Sequence, residues 1–141
     1  MSKQAKTYLS AFGALQIIVA TVLLVSFIPR EAIPHLFNIH EKGELVHFIM
    51  YGSLSSVVVA VLWQLSVKRW ALVTFIACTS MGVAIEFLQP VLTRNRSFDV
   101  YDMLFNTIGV CIGLTGAYVY KNRTMIAQQF AFLFGRKSIG A

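Results

Sequence analysis

Charge is scarce in this chain: Asp, Glu, Lys and Arg make up 13% of its 141 residues, about half the share usual in soluble domains. That excludes an ordinary soluble fold. Acidic residues are scarcer still, six against twelve cations. Cysteine is confined to Cys78 and Cys111, with no C-x-x-C and no second pair. Neither a disulfide framework nor a cysteine-ligated metal is therefore encoded, and the pair carries no redox information. Proline stands only at Pro29, Pro34 and Pro90. The cation surplus, a formal +6, does not make a nucleic-acid surface. Lys and Arg sit in pairs at the ends of apolar blocks, not along a stripe with stacking aromatics between them.

What is abundant is apolar residues, 57% of the chain at a mean hydropathy of +0.68. They fall into four blocks nearly free of charge, each long enough to cross about 30 Å of hydrocarbon as a helix of about 20 residues. The first runs from Tyr8 to Ile28 after Lys3 and Lys6; it is too long for a signal-peptide core and lacks a small-residue cleavage site, so it reads as a retained helix. The second spans Leu45 to Val67 and is closed by Lys68-Arg69. The third spans Trp70 to Leu88 and is expected to stop at Pro90, since proline cannot continue a helix interior. The fourth begins near Asp99 and is closed by Lys121 after Tyr120. The predicted architecture is thus an all-α, four-helix transmembrane bundle over residues 1–121. Residues 122–141 form a basic amphipathic tail, its apolar run from Met125 to Phe134 expected as a short interfacial helix between Arg123 and Arg136-Lys137.

Four spans place both termini and the link between blocks two and three on one side. That side carries Lys3, Lys6, Lys68, Arg69, Lys121, Arg123, Arg136 and Lys137, while the other has Arg30, Lys42, Arg94 and Arg96. The bias predicts cytoplasmic termini in a bacterial inner membrane. All six carboxylates then fall on or just below the outer face.

Polar residues within the blocks are not scattered. Glu44, His47, Tyr51 and Ser55 recur at helical spacing in the second block, and Gly82, Glu86 and Gln89 do so in the third. Asp99, Asp102, Asn106, Gly109 and Gly113 do so in the fourth, polar at the outer end and glycine deeper in. At about 1.5 Å of rise per residue, His47, Glu86 and Asp102 share one layer about 5–6 Å inside the outer interface. Ionisable groups in a bilayer turn inward to find partners, so an Arg, Glu, Asp and His network is expected at the outer mouth, with Arg94 and Arg96 in reach. Each residue also has a plainer role open to it. Asp99 and Asp102 suit a helix N-terminus, Gly109 and Gly113 suit close helix packing, and His47 suits a core histidine bonded to a carboxylate. The spacings of His35, His40 and His47 match no familiar zinc pattern, so no metal and no other cofactor is expected.

The ordered set His47-Phe48-x-x-Tyr51, Glu86-x-x-Gln89 and Arg96-Ser97-Phe98-Asp99-x-x-Asp102-x-x-x-Asn106-x-x-Gly109-x-x-x-Gly113 resembles the VanZ-like family of small bacterial membrane proteins, named for a protein associated with teicoplanin resistance. One departure is visible. The family often has an acid-Lys pair four and three residues before the histidine, where this chain has Gly43 and Glu44, with Glu41-Lys42 two residues earlier. The resemblance implies a cell-envelope role at the level of cell-wall precursors or the surface access of amphipathic antibiotics, and supplies no reaction. The residues themselves predict an outward pocket that recognises a polar or anionic headgroup of a membrane lipid or lipid-linked precursor. Its lining is His47, Tyr51, Glu86, Gln89, Arg94, Arg96, Asp99, Asp102 and Asn106. The competing readings are an intramembrane hydrolase or transferase working through His47, Glu86 and Asp102, and a small transporter.

Overall fold

The computed structural model describes residues 3–28, 43–93 and 96–133. Four helices account for nearly all of them: α1 (Lys3–Phe27), α2 (Gly43–Gln64), α3 (Trp70–Leu92) and α4 (Val100–Leu133). Each contains a segment long and apolar enough to cross a membrane, and among the described residues there is no strand. The all-α transmembrane bundle follows from the four long apolar blocks. The loop 29–42, Arg94, Asn95 and the last residues of the tail, Arg136 and Lys137 among them, lie outside the described residues.

Three boundaries differ from the sequence expectation. α3 does not stop at Pro90 but carries it inside and ends at Leu92, with the Thr93 N–H donating to the Gln89 carbonyl at 2.9 Å. A proline in the final turn removes a single bond, and the helix continues for two residues beyond it. α2 ends at Gln64, short of Val67, because Ser66 adopts a left-handed conformation with φ 56°. Ser66 N–H then reaches the Trp63 carbonyl and Val67 N–H the Leu62 carbonyl, both at 3.0 Å, the paired bonds of a Schellman stop. The tail is helical through Leu133, but as a continuation of α4. No glycine or proline stands between Ala117 and Leu133 to end the helix, and Lys121 and Arg123 are good helix formers.

Neighbouring elements place α2 and α4 side by side and parallel: His47 meets Asn106, Gly52 meets Gly109, and Ser55 meets Gly113. Glycine is required along this seam. A Cβ on Gly109 would strike the Phe48 carbonyl oxygen and sit 3.0 Å from Gly52 N, and one on Gly113 would strike Ser55 Oγ and sit 2.6 Å from the Gly52 oxygen. The backbones therefore approach more closely than any side chain permits. α1 runs against α2, with the Tyr8 hydroxyl donating to the Gln64 carbonyl at 2.9 Å. α3 closes the bundle against α1, α2 and α4.

The interior is inverted relative to a soluble protein. Val22, Tyr51, Leu54, Cys78, Ile85 and Val110 form a thin apolar core, but Ser26, His47, Ser55, Thr74, Glu86, Gln89, Thr93, Asp102 and Asn106 are buried with it. Large apolar side chains such as Ile17, Leu24, Ile76, Phe87, Val91 and Tyr101 face outward. Hydrocarbon solvates those surfaces, so burial is reserved for groups that lipid cannot satisfy.

Candidate functional site

The polar stripes of α2, α3 and α4 converge at one end of the bundle. Glu44, the first residue of the α2 stripe, is exposed, whereas His47, Tyr51 and Ser55 are buried. In α3, Gly82, Glu86 and Gln89 are all buried. In α4, Asp102, Asn106, Gly109 and Gly113 point inward. Asp99 is the N-cap of α4: its Oδ1 accepts from the Tyr101 N–H at 2.8 Å, which satisfies a donor the helix leaves open.

At the centre His47 Nδ1 lies 3.0 Å from Asn106 Oδ1, and Nε2 lies 3.5 Å from Asp102 Oδ2. Glu86 Oε1 stands 3.9 Å from Nδ1. One donor atom each from His47, Glu86 and Asp102 lies within 4.8 Å of the other two. Three separate helices supply the three residues, and none is more than 6% exposed. With Asn106 Oδ1 as the acceptor, Nδ1–H is the donor of that bond, and Nε2 faces the Asp102 carboxylate.

Around this centre several buried polar atoms have no hydrogen-bond partner: both carboxylate oxygens of Glu86, Nδ2 of Asn106 and the hydroxyl of Tyr51. Gly82 makes room for two of these side chains, since a Cβ there would lie 3.2 Å from both Asn106 Nδ2 and Tyr51 Cε1. The charges acting on Glu86 come from Asp102, Asp99 and Arg96, and the Asp99 backbone amide faces it. Arg96 itself donates from Nη2 to the Ile28 carbonyl at 3.4 Å, which ties the entry to α4 to the end of α1. Gln89 does the same from α3, its Nε2 donating to the Ser26 carbonyl at 3.1 Å. Arg96 and Gln89 thus position the rim, while Glu86, Asp102, His47, Asn106 and Tyr51 form the centre. Arg94 lies outside the described residues.

The model of one protein family, VanZ/LLP1, matches the chain over residues 3–121. The chain belongs to the VanZ/LLP1 family. The VanZ/LLP1 match covers every residue of the centre and the rim and ends before the last part of α4. No curated protein and no solved structure matches the chain.

The opposite end of this VanZ/LLP1 bundle carries a feature the sequence reading did not single out. Trp63 and Trp70 meet edge to face at 5.4 Å, and Lys121 Nζ lies 5.4 Å from the Trp70 ring and 5.9 Å from that of Trp63. They line a cleft of about 660 Å³ with Lys68, Tyr120 and Arg123. The available signal was tryptophan at the block ends, on either side of Lys68-Arg69. A second cleft of about 690 Å³ lies along the α2–α4 seam, and neither cleft is lined by a carboxylate. The aromatic and basic walls of the first are those of a membrane interface.

Proposed function

We propose that this chain is a cell-envelope membrane protein whose His47, Glu86, Asp102 and Asn106 cluster recognises the polar headgroup of a membrane lipid or lipid-linked wall precursor. The headgroup enters from the leaflet opposite the termini. The observation that carries this reading is that unpartnered polar atoms of Glu86, Asn106 and Tyr51 gather around one buried imidazole and the Asp102 carboxylate. Carboxylate oxygens without donors select hydroxyl or amino groups. Among the described residues, Arg96 beside them supplies a planar fork suited to a phosphate or carboxylate oxygen of the same headgroup. The Lys and Arg bias places the termini in the cytoplasm and the cluster toward the outer leaflet of the inner membrane. Through the family, the reading extends to altered sensitivity to the glycopeptide teicoplanin.

The test is lipid identification after gentle solubilisation. The parent protein is expected to retain one headgroup class that a Glu86→Ala, Arg96→Ala double variant loses. Identical lipid profiles from the two proteins would overturn the proposal. In cells, expression of the parent but not of His47→Ala is expected to shift the inhibitory concentration of teicoplanin.

One observation favours a second reading, an intramembrane hydrolase or transferase. His47 is held between Asn106 and Asp102, an orientation suited to a general base. Turnover of a labelled lipid that vanishes in His47→Ala would establish it.

A further inference from the structure

His47 meets Asn106 through Nδ1 and Asp102 through Nε2, the latter 3.5 Å away. The two oxygens of Glu86, wholly buried, add a second carboxylate with no donor of its own. An isolated buried carboxylate is strongly unfavourable, and two of them within 4.8 Å of one imidazole nitrogen are more so.

We propose that His47, Glu86 and Asp102 bind a divalent transition-metal ion, of the zinc or manganese class, through three protein ligands. Ligand bonds of 2.0–2.2 Å in a tetrahedron hold donor atoms about 3.4 Å apart. The separation of His47 Nε2 from Asp102 Oδ2, 3.5 Å, already matches. Glu86 closes the set by a side-chain rotation that gives up no side-chain hydrogen bond, only its approach to the Asp99 backbone amide. Asn106 supplies the outer contact that ligating histidines require, an acceptor on the other ring nitrogen that fixes tautomer and orientation. An imidazole with two carboxylates suits a first-row divalent ion, whereas calcium and magnesium take all-oxygen shells. Three protein ligands leave a fourth position of a tetrahedron open. The assignment rests on the ligand geometry and not on the headgroup reading, so each can fail without the other. It also revises the expectation of no metal, which rested on histidine spacing along the chain.

The experiment uses the full chain purified in detergent under a tag without histidine. Elemental analysis is expected to find about one zinc or manganese ion per chain, and cobalt(II) added after chelator treatment is expected to give visible ligand-field absorption that zinc abolishes. Asp102→Asn and Glu86→Gln are expected to lose the bound ion. Asp99→Asn, which keeps its capping oxygen, is expected to retain it, and Asn106→Ala to weaken binding by about 10–100-fold. The parent protein's own spectrum decides the matter even if a ligand variant fails to fold. A parent with no stoichiometric metal and no cobalt absorption, or one that takes up only calcium or magnesium, would overturn the proposal.

Discussion

Replacing Gly113 with alanine is the sharpest test of the α2–α4 seam. The added methyl would meet Ser55 Oγ, which can rotate aside after giving up its 3.0 Å bond to the Gly52 carbonyl. It would also lie 2.6 Å from the Gly52 oxygen, which is backbone and cannot rotate. Ordinary contact begins at 3.4 Å, so the two helices must separate by roughly 0.8 Å to seat the methyl without overlap. Overpacking of this kind costs about 1–3 kcal/mol. Gly116, one turn further along the same helix, has nothing within 4 Å of an added Cβ. There the same substitution yields only the helix-propensity gain, about 0.8–1 kcal/mol in an aqueous host. The two variants should therefore differ by about 2–4 kcal/mol in unfolding free energy in mixed micelles, with opposite signs relative to the parent. The separation also reaches the site, because a His47 to Asn106 bond of 3.0 Å stretched by that amount is no longer a hydrogen bond. Equal stability of Gly113→Ala and Gly116→Ala would refute the close-approach reasoning.

Three further outcomes follow from other contacts. Ser66→Gly should stabilise the bundle by about 1 kcal/mol, because the left-handed turn ending α2 costs a side chain roughly that much; equilibrium unfolding measures it. Asp99→Ala should destabilise by about 1 kcal/mol through the lost α4 cap, and Asp99→Asn should not, which the same assay separates. In the chelator-treated protein Glu86→Gln should raise stability by about 1–3 kcal/mol, since it replaces a buried carboxylate lacking hydrogen-bond partners by a neutral isostere. A fall instead would show that Glu86 is better compensated than its surroundings indicate.

The spans were legible because hydrocarbon demands uninterrupted apolar length, and the polar stripes because helical spacing lines up residues such as Glu86 and Gln89. The common depth of His47, Glu86 and Asp102 also followed from rise per residue. Other features depended on partners distant in sequence. Asn106 bonds His47 across 59 residues, and no local spacing announces it. The ligand set was invisible to a search for metal motifs because one residue comes from each of three helices. Lys121 read as a span terminus, yet a single cation at an interface does not stop a helix, and α4 runs on. The stop at Pro90 failed because proline forbids one bond and not two further residues.

That proline has an effect beyond its own turn. Having no amide hydrogen, it cannot return the bond that the Glu86 carbonyl would accept in an unbroken helix. The tip of α3 from Gln89 to Leu92 is held to the bundle by the Gln89 amide on Ser26, and on the headgroup reading proposed above it is where a molecule arriving sideways through the lipid would enter toward Glu86.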